Sequence, residues 1–356
     1  MKNILLLYLC WLFVLPNLYS QTNPSAQSLF QEGIALYDEG KYEEAIQKFE
    51  KVLALDKKDG NALYEAGNTY IALKDYKKAL EYADRILKKG LEPIAEAYVL
   101  KGNALDMLEK PDKAIEAYRE GIKRSKPYAM LHFNLGISLL RGGKSQEARP
   151  EFEQTLTLDP SHLSSHYCLG LSYSNGNLIA KTLLPLYKFL ILENKGQRAE
   201  VASKTIQSIA KPTLKKEGNQ INISINPAAL GDEFGPAEML LALYPVAQDS
   251  KRQTLADSLH TEISEQPLSE YLTGFNKAFF ETLDENDNVG GKAKAGFWWD
   301  TYGHFFVELH QKGHTEAFTN YLLFGSGNAD AKTWLITHKP ELEAFSAWFT
   351  EKQKQE

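Results

Sequence analysis

Residues 30–56 read FQEGIALYDEGKYEEAIQKFEKVLALD, and the spacing of three residues within this stretch decides the fold. Gly33 is followed twelve residues later by Ala45, and four residues after that by Phe49. The glycine returns every 34 or 35 residues, at Gly33, Gly67, Gly102, Gly136 and Gly170. Because glycine within a helix costs about 1 kcal/mol relative to alanine, five glycines in phase indicate helices that cross too closely for a larger side chain.

The two positions that follow each glycine keep a consistent character through the first half of the chain. The small position holds Ala45, Ala79, Ala114, Ala148 and Thr182, and the packing position holds Phe49, Ala83, Tyr118, Phe152 and Leu186. A fixed period of this length is typical of stacked helix–turn–helix units, each of which buries its apolar surface against its neighbours. We therefore predict an all-α solenoid in the first half of the chain.

These residues resemble the tetratricopeptide repeat family. Five units fit the family's glycine, small-residue and aromatic positions, at 26–59, 60–93, 95–128, 129–162 and 163–195. The first unit is the closest match, with Gly40, Lys41 and Tyr42 at its turn. Lys57 replaces the usual proline of the first unit, and Thr182 replaces the alanine of the fifth. The resemblance implies a protein or peptide as partner without indicating which one.

The resemblance also implies which residues face a ligand, because the first helix of each unit lines the concave face of such arrays. The corresponding positions in this chain are Phe30, Ile34, Tyr64, Asn68, Val99, Asn103, Phe133, Asn134 and Tyr167. Aromatic rings offer a large contact area at low entropic cost, and asparagine amides can pair with a peptide backbone. Members of the family that bind the acidic C-terminal tail of a chaperone have lysines at the positions of Phe30 and Tyr64. The absence of lysine at these two positions argues against recognition of an acidic carboxyl terminus.

The composition and charge are those of a globular protein without a nucleic-acid-binding surface. With 356 residues the chain can hold two or three domains, and 43% of its residues are apolar. The net charge of −6 argues against a general nucleic-acid binder, which needs a basic face. Residues 195–216 hold six basic residues and one acid, whereas residues 217–356 hold ten basic and twenty-one acidic residues.

The N-terminus has the layout of an export signal. Lys2 supplies a positive start, the segment 4–16 is almost wholly apolar, and Ser20 is a small residue before a cleavage site. About 13 apolar residues are too few to span a membrane, which takes about 20. We therefore expect a signal peptide at 1–20, cleavage before Gln21 and a periplasmic or secreted bacterial protein. The sequence contains two cysteines, and cleavage would remove Cys10 and leave Cys168.

The second helix of the fifth unit, at about 179–192, is apolar on nearly every side. A helix without a polar face must be buried, yet a solenoid normally ends in a unit with a polar outer face. We therefore predict that the C-terminal half docks on this helix, with Leu186, Phe189 and Leu190 as contacts. Pro185 is compatible with this helix if the regular part begins near Leu184, since proline is tolerated in a first turn.

The second half of the chain reads as a connector at 196–235 and a helical domain at 236–352. A helix is expected at 196–210, and the alternation of polar and apolar residues at 220–225 predicts one short strand or extended segment without an evident partner. Further helices are expected at 236–248, 251–262, 267–284, 294–311, 314–323, 328–337 and 340–351. The aromatic residues at helical spacing in this half are expected to form its core.

One stripe of side chains in the second half could carry chemistry. Asp300, His304 and Glu308 are spaced so that they share one face of a helix, and such a stripe can hold zinc or move protons. The helix places them opposite its aromatic residues, so a solvated face is the preferred interpretation. His132 and His166 occupy packing positions of their repeats and are expected to be half-buried structural residues.

The sequence thus favours a non-enzymatic scaffold of the cell envelope, without a cofactor, that binds a peptide or protein segment on its concave face. The alternative is a metal-dependent or acid–base enzyme with its site in the C-terminal helical domain. A third possibility is a structural component of an envelope complex that docks through the acidic C-terminal half.

Overall fold

The computed structural model describes residues 25–174, 178–212, 216–217, 220–221, 226–259, 266–287, 289 and 292–355. The expected signal peptide at 1–20 lies outside these residues. Helices make up most of the described chain, which confirms the predicted all-α class. Among the helices of these residues, none is both long and apolar enough to cross a membrane.

The repeat region is built from helices that pack in consecutive pairs. The ten described helices up to residue 192 are α1 (Ala26–Asp38), α2 (Tyr42–Leu55), α3 (Gly60–Ala72), α4 (Tyr76–Lys89), α5 (Ile94–Met107), α6 (Pro111–Arg124), α7 (Ala129–Arg141), α8 (Ser145–Leu158), α9 (Leu163–Ser174) and α10 (Ile179–Leu192). The strongest packing in this region lies within the pairs α1–α2, α3–α4, α5–α6, α7–α8 and α9–α10.

The periodic glycines set the distance between the two helices of a pair. A Cβ atom added to Gly33 would lie 2.6 Å from the ring of Phe49, and one added to Gly136 would lie 2.7 Å from the ring of Phe152. Both distances are too short for a carbon–carbon contact, so any larger residue would push the helices apart. The period in the sequence therefore records the close approach of first and second helices.

The chain divides after Glu92 into two compact units. The first unit contains α1 to α4, and the second contains α5 to α10 together with all the described elements that follow. The division falls inside the repeat array, between the repeats at 60–93 and 95–128. The last three repeats thus share one compact unit with the C-terminal half.

The predicted connector contains ordered elements. They are α11 (Gln197–Ala210), the strands β1 (Lys216–Glu217) and β2 (Gln220–Ile221), and α12 (Pro227–Leu230). The two strands pair antiparallel, with Lys216 opposite Ile221. The extended segment expected at 220–225 therefore has a partner directly before it in the chain, which the alternating pattern did not reveal. Residues 222–225 lie outside the described part of the chain.

The C-terminal half is helical, with one irregular turn. Its elements are α13 (Gly235–Leu259), α14 (Leu268–Asp287), a π-helical turn (Trp299–Gly303), α15 (His304–Gln311), α16 (Thr315–Gly325), α17 (Ala329–Thr337) and α18 (Lys339–Gln355). The two helices expected at 236–248 and 251–262 are one continuous helix, α13, so that expectation was wrong. Asp249 and Ser250 do not break the helix, because neither residue prevents helical dihedral angles.

Helix α10 is the centre of the second unit. It packs against its own partner α9 and also against α11, α13, α16 and the π-helical turn. The Tyr187 ring meets Phe280, Phe306 and Phe318 edge-on, at centroid distances of 6.1, 5.9 and 5.4 Å. The hydroxyl of Tyr187 donates to Asn276 Oδ1 over 2.6 Å, which satisfies the polar end of this buried ring.

The three residues expected to contact the C-terminal half lie in different surroundings. Leu186 packs against Gly170 of α9, and the Phe189 ring lies 5.0 Å from that of Tyr167, also in α9. Leu190 lines a cavity of about 20 Å³ together with Leu272 and other residues of the C-terminal half. Helix α10 has the bounds expected from the sequence, and because it is regular from Ile179 onwards, Pro185 lies in the helix interior and not in a first turn near Leu184.

Buried charges hold the N-terminus of α10. The carboxylate of Glu238, in α13, accepts hydrogen bonds from the N–H groups of Ile179 at 2.7 Å and Ala180 at 2.8 Å. Lys181 Nζ lies 2.8 Å from Asp232 and 3.2 Å from Glu233. Burial raises the pKa of Glu238 to about 7, although the two N–H donors favour its charged form. This end of α10 is thus fixed by acidic residues of the C-terminal half.

Candidate functional site

The residues expected to face a ligand all lie on first helices and are all half-buried. We call this set the first-helix face: Phe30, Ile34, Tyr64 and Asn68 in the first unit, and Val99, Asn103, Phe133, Asn134 and Tyr167 in the second. A half-buried side chain is anchored on one side and open on the other. This is the arrangement that a surface needs to offer shaped, apolar contact area to a partner.

Three aromatic residues of the first-helix face are supported from behind by the second helix of their own pair. The ring centroids of Phe30 and Phe49 are 5.8 Å apart, those of Phe133 and Phe152 are 6.1 Å apart, and Tyr167 stands 5.0 Å from Phe189. Phe133 also meets the ring of His162 at 4.5 Å. Contacts of this kind limit side-chain motion, so that little entropy remains to be lost when a ligand binds.

The asparagines of the second unit form a connected pair. Asn134 Nδ2 donates to Asn103 Oδ1 over 3.1 Å, and the hydroxyl of Tyr118 donates to the same oxygen over 2.8 Å. In the part of the chain that the structure describes, no hydrogen bond uses Asn103 Nδ2 or Asn134 Oδ1. One amide donor and one amide acceptor therefore stand side by side, which matches the C=O and N–H groups of a peptide.

Two polar residues that sequence reasoning missed hold this pair in place. Asp106 accepts a hydrogen bond from Ser138 Oγ at 2.5 Å, and the same carboxylate oxygen lies 3.3 Å from the Tyr118 hydroxyl. Burial and the neighbouring Asp106 raise the pKa of Tyr118, so its hydroxyl stays protonated and acts as a donor. Asp106 lies three residues after Asn103, on the same helix face, and this spacing was the signal available in the sequence.

In the first unit the corresponding asparagine makes a weaker contact. Asn68 Nδ2 lies 3.4 Å from the hydroxyl of Tyr37, on the neighbouring first helix. Burial raises the pKa of Tyr37, so this hydroxyl also remains protonated near neutral pH. Both units thus link adjacent first helices through an asparagine amide.

The two repeat histidines have structural surroundings. His132 Nδ1 lies 2.7 Å from Glu151, while His166 is fully buried instead of half-buried as expected. Because Pro160 O can only accept, His166 Nε2 donates to it over 3.0 Å and His166 Nδ1 accepts from the Tyr302 hydroxyl over 2.8 Å. Burial lowers the pKa of His166 to about 3, so the ring is neutral and links α9 to the π-helical turn.

Asp300, His304 and Glu308 do not converge on one point. His304 Nδ1 lies 3.9 Å from Asp300 Oδ1, while His304 Nε2 lies 3.4 Å from Asp287 Oδ1. Glu308 instead accepts from Trp348 Nε1 at 2.9 Å and pairs with Lys352 Nζ at 2.6 Å, both in α18. Within the described residues no group of three or more His, Cys, Asp or Glu side chains is arranged to hold a metal ion.

Comparison with known proteins identifies the repeats. Two family models match this chain, and each is described as tetratricopeptide repeat. One matches residues 36–104, and the other matches residues 99–162 and 133–178. The chain is 28% identical over 145 residues to the BBSome complex member BBS4 of Bos taurus, and 29% identical over 140 residues to the Hsp70-Hsp90 organizing protein of Triticum aestivum. These matches cover 41% and 36% of this chain, and 28% and 23% of the relatives. The chain thus spans only about a quarter of the length of the curated relatives it matches.

Two solved structures are similar to part of this chain. YrrB, described as a TPR protein with an unusual peptide-binding site, is 26% identical to this chain. The match covers 51% of this chain and 92% of the YrrB chain, with a TM-score of 0.40. TTC0263, a TPR protein of Thermus thermophilus, is 21% identical to this chain. The match covers 51% of this chain and 99% of the TTC0263 chain, with a TM-score of 0.43.

Proposed function

Because residues 36–178 belong to the tetratricopeptide repeat family, we propose that this chain is a non-enzymatic scaffold that holds a segment of a partner protein on its first-helix face. Tetratricopeptide repeats are protein-interaction modules. The observation that supports this particular face is its set of half-buried aromatic residues, three of which rest on a ring of their own second helix. Rigid, partly exposed aromatic side chains give contact area at a small entropic cost.

The asparagine pair of the second unit supplies the polar part of the recognition. The Asn103 Nδ2 donor and the Asn134 Oδ1 acceptor are suited to one peptide group of a bound segment. Hydrogen bonds to a backbone read no side chain, so the aromatic and aliphatic members of the first-helix face supply the specificity.

The test is affinity capture from an envelope fraction of the producing organism, with the native chain and a triple variant carrying Tyr64→Ala, Asn103→Ala and Phe133→Ala. We expect the triple variant to lose capture, because each contact contributes about 1–2 kcal/mol. The matched control carries Leu55→Ala, Leu158→Ala and Ile336→Ala, three exposed apolar residues outside the first-helix face. Circular dichroism confirms that both variants are folded. Equal capture by the folded triple variant and the native chain would place the binding site elsewhere.

We also propose that the protein acts outside the cytoplasm, as the layout of Lys2, the apolar segment 4–16 and Ser20 suggests. Cleavage before Gln21 should yield a mature protein whose N-terminal sequence begins QTNPS. Edman sequencing of protein from the periplasmic or secreted fraction checks this. Recovery of the chain in the cytoplasm with Met1 retained would contradict the proposal.

The alternative of an enzyme in the C-terminal half has no supporting geometry at the residues that suggested it. Glu308 is engaged by Trp348 and Lys352, whereas His304 lies near Asp300 and Asp287. We therefore retain the scaffold as the proposed function.

A further inference from the structure

Helix α11 follows the repeats at the spacing of a further repeat. Each first helix begins five residues after the preceding second helix ends. Gly60 follows Leu55, Ile94 follows Lys89, Ala129 follows Arg124, and Leu163 follows Leu158. The same interval separates Leu192, the end of α10, from Gln197, the start of α11. Helix α11 also packs on α9 and α10, as the first helix of a sixth unit would.

A polar contact links α11 to its neighbour α9, as the asparagine pair links α7 to α5. Arg198 Nη1 donates to Ser164 Oγ over 2.9 Å, and its Nε donates to Glu193 Oε1 over 3.1 Å. The guanidinium lies 5.9 Å from the ring centroid of Tyr167, a member of the first-helix face. Arg198 therefore marks the side of α11 that continues this face.

Two further residues of α11 lie on the same side as Arg198. Val201 and Thr205 follow it by three and seven residues, which is the spacing of neighbours on one helix face. The buried face of α11 is formed by other residues: Ala199, Ala202, Ser203, Ile206 and Ala210. A third side contributes Gln197, Glu200, Lys204 and Gln207 to a cleft near the turn between α16 and α17. Val201 remains 39% exposed, although it is apolar.

The chemistry of this side favours an apolar, uncharged ligand. Ile137 and Leu171 follow Phe133 and Tyr167 by four residues on their helices, and both are half-buried. Together with Val201 they extend the apolar character across α7, α9 and α11. The positive charge of Arg198 is balanced by Glu193, and the side chains of Phe133, Ile137, Tyr167, Leu171 and Val201 carry no charge, so these residues offer no unbalanced charge to an acidic or basic segment.

We propose that α11 is a sixth ligand-facing helix, and that an apolar, uncharged segment of the partner protein crosses α7, α9 and α11 with a side chain against Val201. This inference rests on the proposed function and deepens it, because it names the class of segment that is bound and extends the surface beyond the five repeats. Val201 is an exposed apolar residue three positions after Arg198, whose guanidinium lies 5.9 Å from the ring centroid of Tyr167.

The experiment selects peptides from a phage-displayed random library on the full chain. The tightest-binding peptide, synthesised with a fluorescein label, is the probe for fluorescence anisotropy. We expect enriched peptides to be rich in Leu, Ile, Val and Phe, with no net charge. We expect Val201→Asp to weaken binding of the probe at least tenfold. The matched control is Ile336→Asp, at an exposed apolar residue of α17, which should change the affinity less than twofold.

Phe133→Ala separates the two proposals. If Phe133→Ala weakens binding and Val201→Asp does not, the first-helix face binds the peptide and α11 takes no part, which overturns the inference alone. If neither substitution weakens binding, or no peptide is enriched, both the inference and the proposed function are overturned. Enriched peptides that are strongly acidic or basic would also contradict the inference. Thermal unfolding of each variant shows that it is folded, and because Val201 is exposed its substitution should leave the fold intact.

Discussion

Glu238 shows how one buried side chain can connect two parts of a helical protein. Its carboxylate takes the place of a capping residue at the N-terminus of α10, where two N–H groups lack partners within the helix. The helix dipole favours a negative charge at this position. Burial works in the opposite direction and is the larger effect, because it raises the pKa to about 7 from an ordinary value of 4.5.

This pKa predicts how the stability depends on pH. Between pH 4.5 and pH 7 the folded state binds more protons at Glu238 than the unfolded state does. The contribution of Glu238 to the free energy of unfolding therefore decreases as the pH rises through this window, by up to about 3 kcal/mol, and is constant above it. In Glu238→Gln this dependence should vanish, since the amide does not titrate. Urea unfolding of both proteins from pH 4.5 to 8 measures the difference.

The comparison must be made between variant and native chain, because His166 titrates in the opposite sense. Its pKa of about 3 in the folded state lies below the ordinary value of 6.5, so its contribution to stability is lost as the pH falls below 6.5. Both proteins contain His166, and the difference between them isolates Glu238. The exposed Glu270, on α14, supplies the control variant Glu270→Gln, which should follow the native chain. An unchanged pH dependence in Glu238→Gln would show that this carboxyl does not titrate as described.

At the scale of the element, the π-helical turn separates residues that a regular helix would align. The backbone N–H of His304 bonds to the carbonyl of Trp299, five residues earlier, instead of four. Asp300, His304 and Glu308 therefore do not continue one straight stripe, and Glu308 turns to α18. A periodic pattern assumes a constant number of residues per turn, so one extra residue within a turn could not be predicted from the sequence.

The end of α16 is pressed against the backbone that follows α10. A Cβ atom added to Gly325 would lie 2.0 Å from the carbonyl oxygen of Asn194. This neighbour is backbone, which cannot rotate away as a side chain can. We therefore expect Gly325→Ala to lower the free energy of unfolding by about 1–3 kcal/mol, the usual cost of overpacking. Chemical unfolding monitored by circular dichroism measures this change.

Gly231 provides the control for this substitution, because a Cβ atom added there would meet no atom within 4 Å. Gly231→Ala should leave the stability nearly unchanged or raise it slightly, since alanine has less backbone freedom to lose on folding. If Gly325→Ala were as stable as Gly231→Ala, the contact between α16 and the Asn194 backbone could not be as close as described.

At the scale of the whole molecule, the repeat half was predictable and the packing of the other half was not. The glycine period is local, because four of the five glycines meet the residue sixteen positions later, on the next helix, as Gly33 meets Phe49 and Gly102 meets Tyr118. The need to cover α10 was also readable, from its lack of a polar face. The partners of Tyr187, however, lie on α14, α15 and α16, at least 89 residues further along the chain. No periodicity links residues so far apart.

The last prediction concerns what happens when this cover is removed. A fragment ending at Asn194 would lose α11 to α18 and expose Tyr187 and Leu190, which the C-terminal half buries. Burying one large apolar side chain contributes about 1.5–3 kcal/mol, so the exposed surface would favour association with other chains. We expect the fragment 21–194 to dimerise or aggregate, as measured by light scattering. The same fragment carrying Tyr187→Glu and Leu190→Lys should remain monomeric, because charges replace the exposed apolar groups. A soluble, monomeric 21–194 fragment with the thermal stability of the full chain would show that α10 needs no cover.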